Sequence, residues 1–424
     1  MLKLTKWTFF GAGFWIIGSV YAQDNSSINT YSPYSMYGLG DLAQPGLTAT
    51  GNMGGITTGV RESKQIDYVN PAGASARDSL TFVLDFGGEM RNFYANTATR
   101  STSYNTANFR HIAAAFPVGR FGVSVGMAPF SSVGYEVERR ERRDYMVASM
   151  GDVRYLYRGE DGINQLFLNL GFNATKRLAI GAGVRYLFGS ISHYYNVKFN
   201  TNAYYSNIYS SEVQKISDFV PTLGAQYTHP LGSSHRMVLG ASLQPQVNLS
   251  GTQSILSQIS FSRGYDTAYS ASGSSRTLMP MQLNFGASVT ANEKWMLGAD
   301  FSYQDWSKTK VINSTDEMGR SYNLRLGGYY IPNRYDVRYF WKRMTYRGGL
   351  RYSQTPPLYN GNTVRDVALN AGFSFPMRGA GYLNAGVEVG QRGATKQGMV
   401  QETYLTVSVG ITLFEAWFVK YKYE

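Results

Sequence analysis

Four histidines, His111, His193, His229 and His235, and no cysteine are available for chemistry in this chain. Metal sites draw such residues together at short repeated spacings, and these show none; His229 and His235 merely flank the turn-like HPLGSSH. The glycine-rich GLGDLAQPG lacks both the Lys-Ser/Thr step and the strand–loop–helix setting of a phosphate loop. One hydrolytic arrangement stays open, a serine and a histidine facing each other on adjacent strands. The sequence otherwise offers no catalytic residue, no metal set and no cofactor motif, and reads as a non-enzyme.

The elements that would have to position any site begin with a leader. Lys3 and Lys6 precede an apolar core from Trp7 to Val20, and Val20-Tyr21-Ala22 forms a small-x-small cleavage signal. Gly11, Gly13 and Gly18 interrupt that core, which argues against a retained anchor, so residues 1–22 are expected to be removed. The chain carries 33 tyrosines, 23 phenylalanines and 46 glycines but 13 prolines. Its mean hydropathy is −0.26. Beyond the leader no apolar run reaches the roughly 18 residues of a spanning helix. Export, aromatic and glycine richness, and no spanning helix together point to an outer-membrane β-barrel. The formal charge is +12. Export sets nucleic acid aside as a partner. The charge then reads as a rim facing anionic lipopolysaccharide, as a funnel for anionic ligands, or as solvated loops.

From Leu80 onward about ten alternating residues and a turn repeat, from LTFVLDFGGEM (80–90) to YLTVSVGITLF (404–414). Fourteen such strands are expected, with 135–160 and 195–216 able to conceal extensions. Linkers at 117–120, 174–177, 290–294 and 376–381 are short. Those at 136–161, 192–217, 250–277 and 307–321 are long and polar, the two-sided pattern of a barrel. Tyr186, Phe188, Trp295, Tyr303, Trp306, Tyr329, Tyr330 and Trp417 are expected in the interfacial girdle. The basic run ERRERRD (138–144) reads as a solvated loop or a contact for lipopolysaccharide phosphates. Residues 23–78 differ: they are rich in Gly, Ser, Thr and Asn, yet hold Tyr31, Tyr34, Met36, Tyr37, Leu39, Met53, Ile56 and Tyr68. A compact segment inside the barrel reconciles the two properties. The expected organisation is a leader (1–22), an internal N-terminal plug (23–78) and a transmembrane antiparallel barrel of about 14 strands (79–424). Pro129 falls inside the third strand, where a missing N–H breaks the ladder as a rim bulge or as a kink in the wall. Pro245 lies close to an expected loop.

With these pieces in place, the chain resembles the FadL/TodX family of outer-membrane transporters for long-chain fatty acids and other hydrophobic compounds. Asn70-Pro71-Ala72 matches that family's N-P-A motif at the end of its plug, the hatch, just ahead of the first strand. MPMQLNFGASVTANEKWMLGADFSYQDWS (279–307) is similar to a family strand pair, and YSPYSMYGLGDL looks like the branch common in Bacteroidetes. The resemblance implies capture of a hydrophobic small molecule, passage beside the hatch, and lateral exit through a gap at the kinked third strand. Asn70, Pro71, Ala72 and Pro129 would then form the hatch and gate, and Tyr34, Met36, Tyr37 and Met53 a ligand path. The residues themselves leave a plain alternative for each: a turn that ends the plug, and plug core. The family also includes barrels recruited as accessory subunits of outer-membrane secretion or assembly complexes, so a protein partner in that membrane stays open beside outer-membrane lipid and lipopolysaccharide.

Overall fold

In strand Asn362–Pro376 the side chains of Val367, Leu369 and Phe373 point outward, 44%, 64% and 41% exposed, while Asp366, Asn370 and Ser374 are buried. This inverts the pattern of a water-soluble sheet. It is what a strand needs when its outer face meets hydrocarbon and its inner face meets other polar groups. The computed structural model describes residues 30–78, 81–97, 101–200, 204–261, 264–309, 318–359, 361–378, 381–396 and 398–416. The leader and Trp417 lie outside the described residues.

Strand β1 (Asp41–Leu42) is a two-residue piece. The wall follows as β2 (Thr81–Asn96), β3 (Ser101–Val118), β4 (Phe121–Ser132), β5 (Tyr135–Arg140), β6 (Val153–Asn173), β7 (Leu178–Phe199), β8 (Ile208–Leu231), β9 (His235–Gln244) and β10 (Val247–Phe261). It continues with β11 (Gly264–Met279), β12 (Gln282–Ala291), β13 (Trp295–Asp305), β14 (Arg320–Tyr330), β15 (Thr345–Tyr359), β16 (Asn362–Pro376), β17 (Gly381–Arg392) and β18 (Gln401–Ala416). β4–β5, β9–β10 and β11–β12 are each one crossing in two pieces, because both halves pair with the same neighbouring stretch of wall. The result is a 14-strand antiparallel barrel, closed by pairing of β18 with β2 from Gln401↔Asn96 to Ala416↔Thr81. Closure joins the first strand of the wall to the last, as a β-protein in the bilayer requires.

Two of the three breaks fall at a proline. Pro245 separates β9 from β10 and Pro280 separates β11 from β12, at one height, since Gln244 pairs with Gln282 and Val247 with Met279. Neither proline can donate to a ladder. Pro245 thus interrupts a crossing and does not adjoin a loop. The stretch expected as a loop at 250–277 is a hairpin, paired from Ser250↔Arg276 to Phe261↔Gly264 with one bulge after Ser257. Its strands run on past the apolar belt, where both faces meet water and alternation disappears. The stretches 135–160 and 195–216 hold strand in β5 to β8, with a short helix, Asp144–Met150, between β5 and β6. Two expected girdle residues face inward: Trp306 is 1% and Tyr329 7% exposed.

Residues 46–76 touch the inner side of the wall on many strands, and glycine is what lets them approach. A Cβ at Gly122 of β4 would lie 1.9 Å from the Ala74 carbonyl oxygen, and one at Gly240 of β9 1.9 Å from that of Thr58. At Gly327 of β14 it would meet the Met53 oxygen at 2.0 Å, and at Gly386 of β17 the Asn52 Oδ1 at 2.0 Å. Several of the wall glycines face one another across strands: Gly122 pairs with Gly171, Gly171 with Gly181, Gly181 with Gly224, and Gly327 with Gly349. They form a belt without side chains.

Candidate functional site

The seam between β3 and β4 is where the wall departs from a regular ladder. Their pairing runs from Val118↔Phe121 to Ile112↔Met127 and stops there. Farther along, residues 101–111 of β3 pair only with β2, whereas β4 continues against β6 with a register shift between Pro129 and Ser131. The interruption begins at Ala128, directly before Pro129, in line with a residue that removes a donor from the ladder. The Pro129 carbonyl still accepts from Gln165 Nε2 at 3.2 Å.

Residues 31–43 bridge this seam from within. The Tyr31 ring stacks on Tyr104 of β3, with centroids 4.4 Å apart. At the other end β1 pairs with β4, Asp41↔Ser132 and Leu42↔Ser131, and the Ala43 N–H donates to the Phe130 oxygen at 2.9 Å. Between them a 3-10 turn, Pro33–Met36, is capped by Ser32, whose hydroxyl accepts from the Tyr34 N–H at 3.2 Å; proline at its first position suits the preset φ. Gly40 has a φ of +88°, where a side chain would be strained, and a Cβ there would sit 2.7 Å from the Ser132 oxygen. We refer to residues 31–43 as the strap.

The strap is also tied by charge to β17, three strands from β3 across the β18–β2 closure. Arg392 of β17 donates to Asp41 Oδ1 at 2.7 Å, to Glu402 Oε2 at 2.8 Å and to Ser32 Oγ at 3.0 Å. Beside it Arg351 donates to Asp366 at 2.8 Å, to Glu388 at 2.9 Å and to the Tyr404 hydroxyl at 2.7 Å. Two small cavities, about 170 and 120 Å³, lie against the seam and the strap. The first is lined by Leu42, Phe109 and Pro129, but also by Glu89, Arg110 and Arg351. Part of the lumen beside the strap is apolar: Leu39, Tyr135, Leu187, Leu249 and Trp306 form a buried cluster that Met36 and Leu42 join.

The residues expected at the gate are not gathered in one place. Asn70 caps the 3-10 helix Pro71–Ala76, its Oδ1 accepting from the Ala72 N–H at 3.1 Å. Its Nδ2 donates to Thr58 O at 3.0 Å and to Ala225 O of β8 at 3.2 Å, away from Pro129. Pro71 and Ala72 lie against Gly181. Of the expected ligand path, Met36 reaches the apolar cluster, and Tyr34 and Tyr37 both lie edge-on to Tyr359, with centroids 6.4 Å away. The Tyr34 hydroxyl donates to Val400 O at 2.6 Å. Met53 belongs to another cluster, with Ile56, Met296 and Tyr329, and is fully buried.

Sequence reasoning missed the residues that hold residues 46–76. Asp300 of β13 accepts from the Thr57 N–H at 2.6 Å and the Thr58 N–H at 2.7 Å. Asp67 caps the turn into Asn70, its Oδ1 accepting from Val69 at 2.8 Å, and burial pushes its carboxyl up to about 8. A carboxylate in the middle of a membrane strand, LGADFSY, was the available signal. Among the described residues no group of three His, Asp or Glu is placed to hold a metal ion. His111 pairs with Asp85, and both are buried; the other ring nitrogen of His111 has no partner among the described residues, so no hydroxyl nucleophile is hydrogen-bonded to it.

A closed antiparallel barrel with apolar residues outside, polar residues inside and short turns at one end is a multi-pass outer-membrane protein. Its fold is that of FadL/TodX-type channels. It is similar to the Pseudomonas putida toluene transporter TodX, with a TM-score of 0.57 at 15% identity over 90% of this chain and 100% of that one. The Ralstonia pickettii toluene transporter TbuX gives 0.56 at 15% identity, covering 87% and 98%. A Pseudomonas aeruginosa FadL homologue gives 0.55 at 14%, covering 89% and 99%. The chain belongs to the BamG family, whose model matches residues 4–424. No curated protein matches it.

Proposed function

We propose that this barrel is an outer-membrane conduit for hydrophobic molecules, long-chain fatty acids among them, with residues 23–78 as a plug and the β3–β4 seam as a lateral exit that the strap closes. The observation carrying this reading is the end of β3–β4 pairing at Ile112–Met127, with β1 in place of the missing neighbour. Sideways release spares an apolar solute the water beyond the barrel, where each exposed methylene costs about 0.8 kcal/mol. Met36 and Leu42, at the border of the apolar cluster, give a cargo contact next to the seam, and Tyr34 and Tyr37 line the approach. Asn70, Pro71 and Ala72 fix the far end of the plug, so that the strap moves against an anchored base. The similar solved structures named above include toluene transporters, which agrees with a small hydrophobic cargo. Pro129→Val supplies the missing donor and a strand-favouring side chain. The variant is expected to insert normally and to lose uptake of labelled toluene and of a labelled long-chain fatty acid. Full uptake would refute lateral exit.

A second reading, an accessory barrel in an outer-membrane protein complex, is favoured by one observation: the cavities at the seam are small and charged, lined by Glu89, Arg110, Arg351 and Asp366. Mild-detergent purification with mass spectrometry separates the two. A stoichiometric partner protein supports the accessory role, and a lone barrel with bound lipid supports transport.

A further inference from the structure

Near the strap, the inward-facing cations Arg351, Arg392 and Arg110 each lie against carboxylates, while Arg185 and Arg325 donate to Gln244 and Ser302. At the short-turn end, on the periplasmic side, a basin of about 970 Å³ is lined by seven lysines and arginines but only three acids. Two of those acids are already engaged: Glu62 by Arg236 at 3.4 Å and by the Tyr329 hydroxyl at 3.1 Å, and Glu293 by Arg334 at 3.5 Å. Arg61 is held by neutral acceptors, Gln226 Oε1 at 3.0 Å, Asn173 Oδ1 at 2.7 Å and the Ala72 carbonyl at 3.3 Å. Arg77 donates to the carbonyls of Ser63 and Gln65. Lys64 lies over the Phe414 ring. With Lys176 and Arg177 on the rim, five cations share the basin with Asp78 as the one acid not otherwise engaged among the described residues.

We infer that this basin is a docking site for an acidic stretch of polypeptide presented from the periplasm. Guanidinium groups pinned by carbonyls are already ordered, so an incoming carboxylate gains charge-assisted bonds without paying for rotamer ordering. A concave site of one sign focuses the field and steers a polyanion into it. The basin is broad and open, a shape for several carboxylates in series and not for one phosphate. Its walls point into the lumen: Asn173 and Arg236 reach the plug, so headgroups in the surrounding bilayer lie on the other side of the wall. The site does not depend on what passes the seam.

The test uses the full-length protein in nanodiscs and fluorescent oligo-glutamate as the probe. Oligo-glutamate should bind and weaken steeply with salt, while oligo-glutamine does not bind. Reversing two exposed turn residues, Lys176→Glu with Arg177→Glu, should reduce affinity by roughly tenfold or more. Reversal at the opposite end, Arg139→Glu with Arg142→Glu, should leave it unchanged. Equal binding of oligo-glutamine, or indifference to the Lys176 and Arg177 reversal, overturns the inference. So does phosphate binding with oligo-glutamate excluded, an adventitious ion only, or a loss confined to phosphatidylglycerol vesicles, which assigns the charge to lipid.

Discussion

Residues 31–43 and residues 46–76 are consecutive in the chain, yet they meet the barrel by opposite means. The second stretch is fitted by shape: its backbone runs where the wall has no side chains, and its polar groups are fixed by Asp300, Asn70 and Gln226. The first is fitted by charge and by two ladder pairs, Asp41↔Ser132 and Leu42↔Ser131, with Arg392 as its tie. A fit by shape has no intermediate setting, because a close-packed contact is kept or lost. A tie made of discrete ion pairs can be exchanged or cut one contact at a time, although cutting it leaves buried charge behind. On the proposed function, the strap is the part expected to move and the belt the part expected to stay fixed.

The largest effect should come from filling the belt. Gly327→Val puts a side chain 2.0 Å from the Met53 carbonyl oxygen, a backbone atom that cannot swing aside. We expect a cost of about 4 kcal/mol or more and loss of the folded, heat-modifiable band on gels. The paired control is Gly348→Ala on β15, which is exposed and whose nearest neighbour is the Asn370 oxygen at 3.8 Å. That change should fall within about 0.5 kcal/mol of the parent. Equal tolerance of both would mean that residues 46–76 are not clamped by shape.

Much of this architecture could be read from the sequence, and the failures have physical causes. Fourteen strands follow from alternation, because hydrocarbon outside and polar groups inside leave a period of two. Beyond the bilayer that contrast ends, so the 250–277 hairpin left no pattern. Trp306 and Tyr329 were misplaced although parity was available: Leu324 and Leu326 face outward, which sends Tyr330 outward and Tyr329 inward. The belt glycines were visible in LNLGFN, TLGAQY and LNAGVEV, but a residue without a side chain does not tell what approaches it. The strap's tie was invisible, since Asp41 and Arg392 are 351 residues apart.

A middle-sized effect should follow from cutting that tie. Arg392→Ala leaves Asp41 and the buried Glu402 without their cation, and breaking a buried pair of this kind costs about 3–5 kcal/mol. The loss should be local. Hydrogen exchange is expected to rise across residues 31–43 while residues 46–76 stay protected, and Arg392→Lys should fall between, keeping the charge but not the fork. Equal acceleration of both stretches would show one cooperative unit and remove the strap as a separate moving part.

The smallest effect concerns the one acid of the clamped stretch that no ion pair holds among the described residues. Asp67 is 7% exposed; its Oδ1 accepts from Val69 and Asn70, and its Oδ2 has no partner among the described residues. Burial raises its carboxyl to about 8, against the opposing pull of those N–H bonds. The unfolded chain gives up this proton near pH 4, the ordinary value for aspartate at about 3.9. Between these two values the folded protein holds a proton that the unfolded chain does not. This contribution to stability is therefore complete below about pH 4, declines as pH rises, and levels off above about 8. Asp67→Asn keeps the acceptor for the Val69 N–H and cannot ionise. In unfolding measurements at pH 5 and pH 8.5, the parent should lose more stability on going to the higher pH than the Asp67→Asn variant does. If both fall by the same amount, Asp67 is ionised in the folded barrel, and the clamped stretch is held by charge as the strap is.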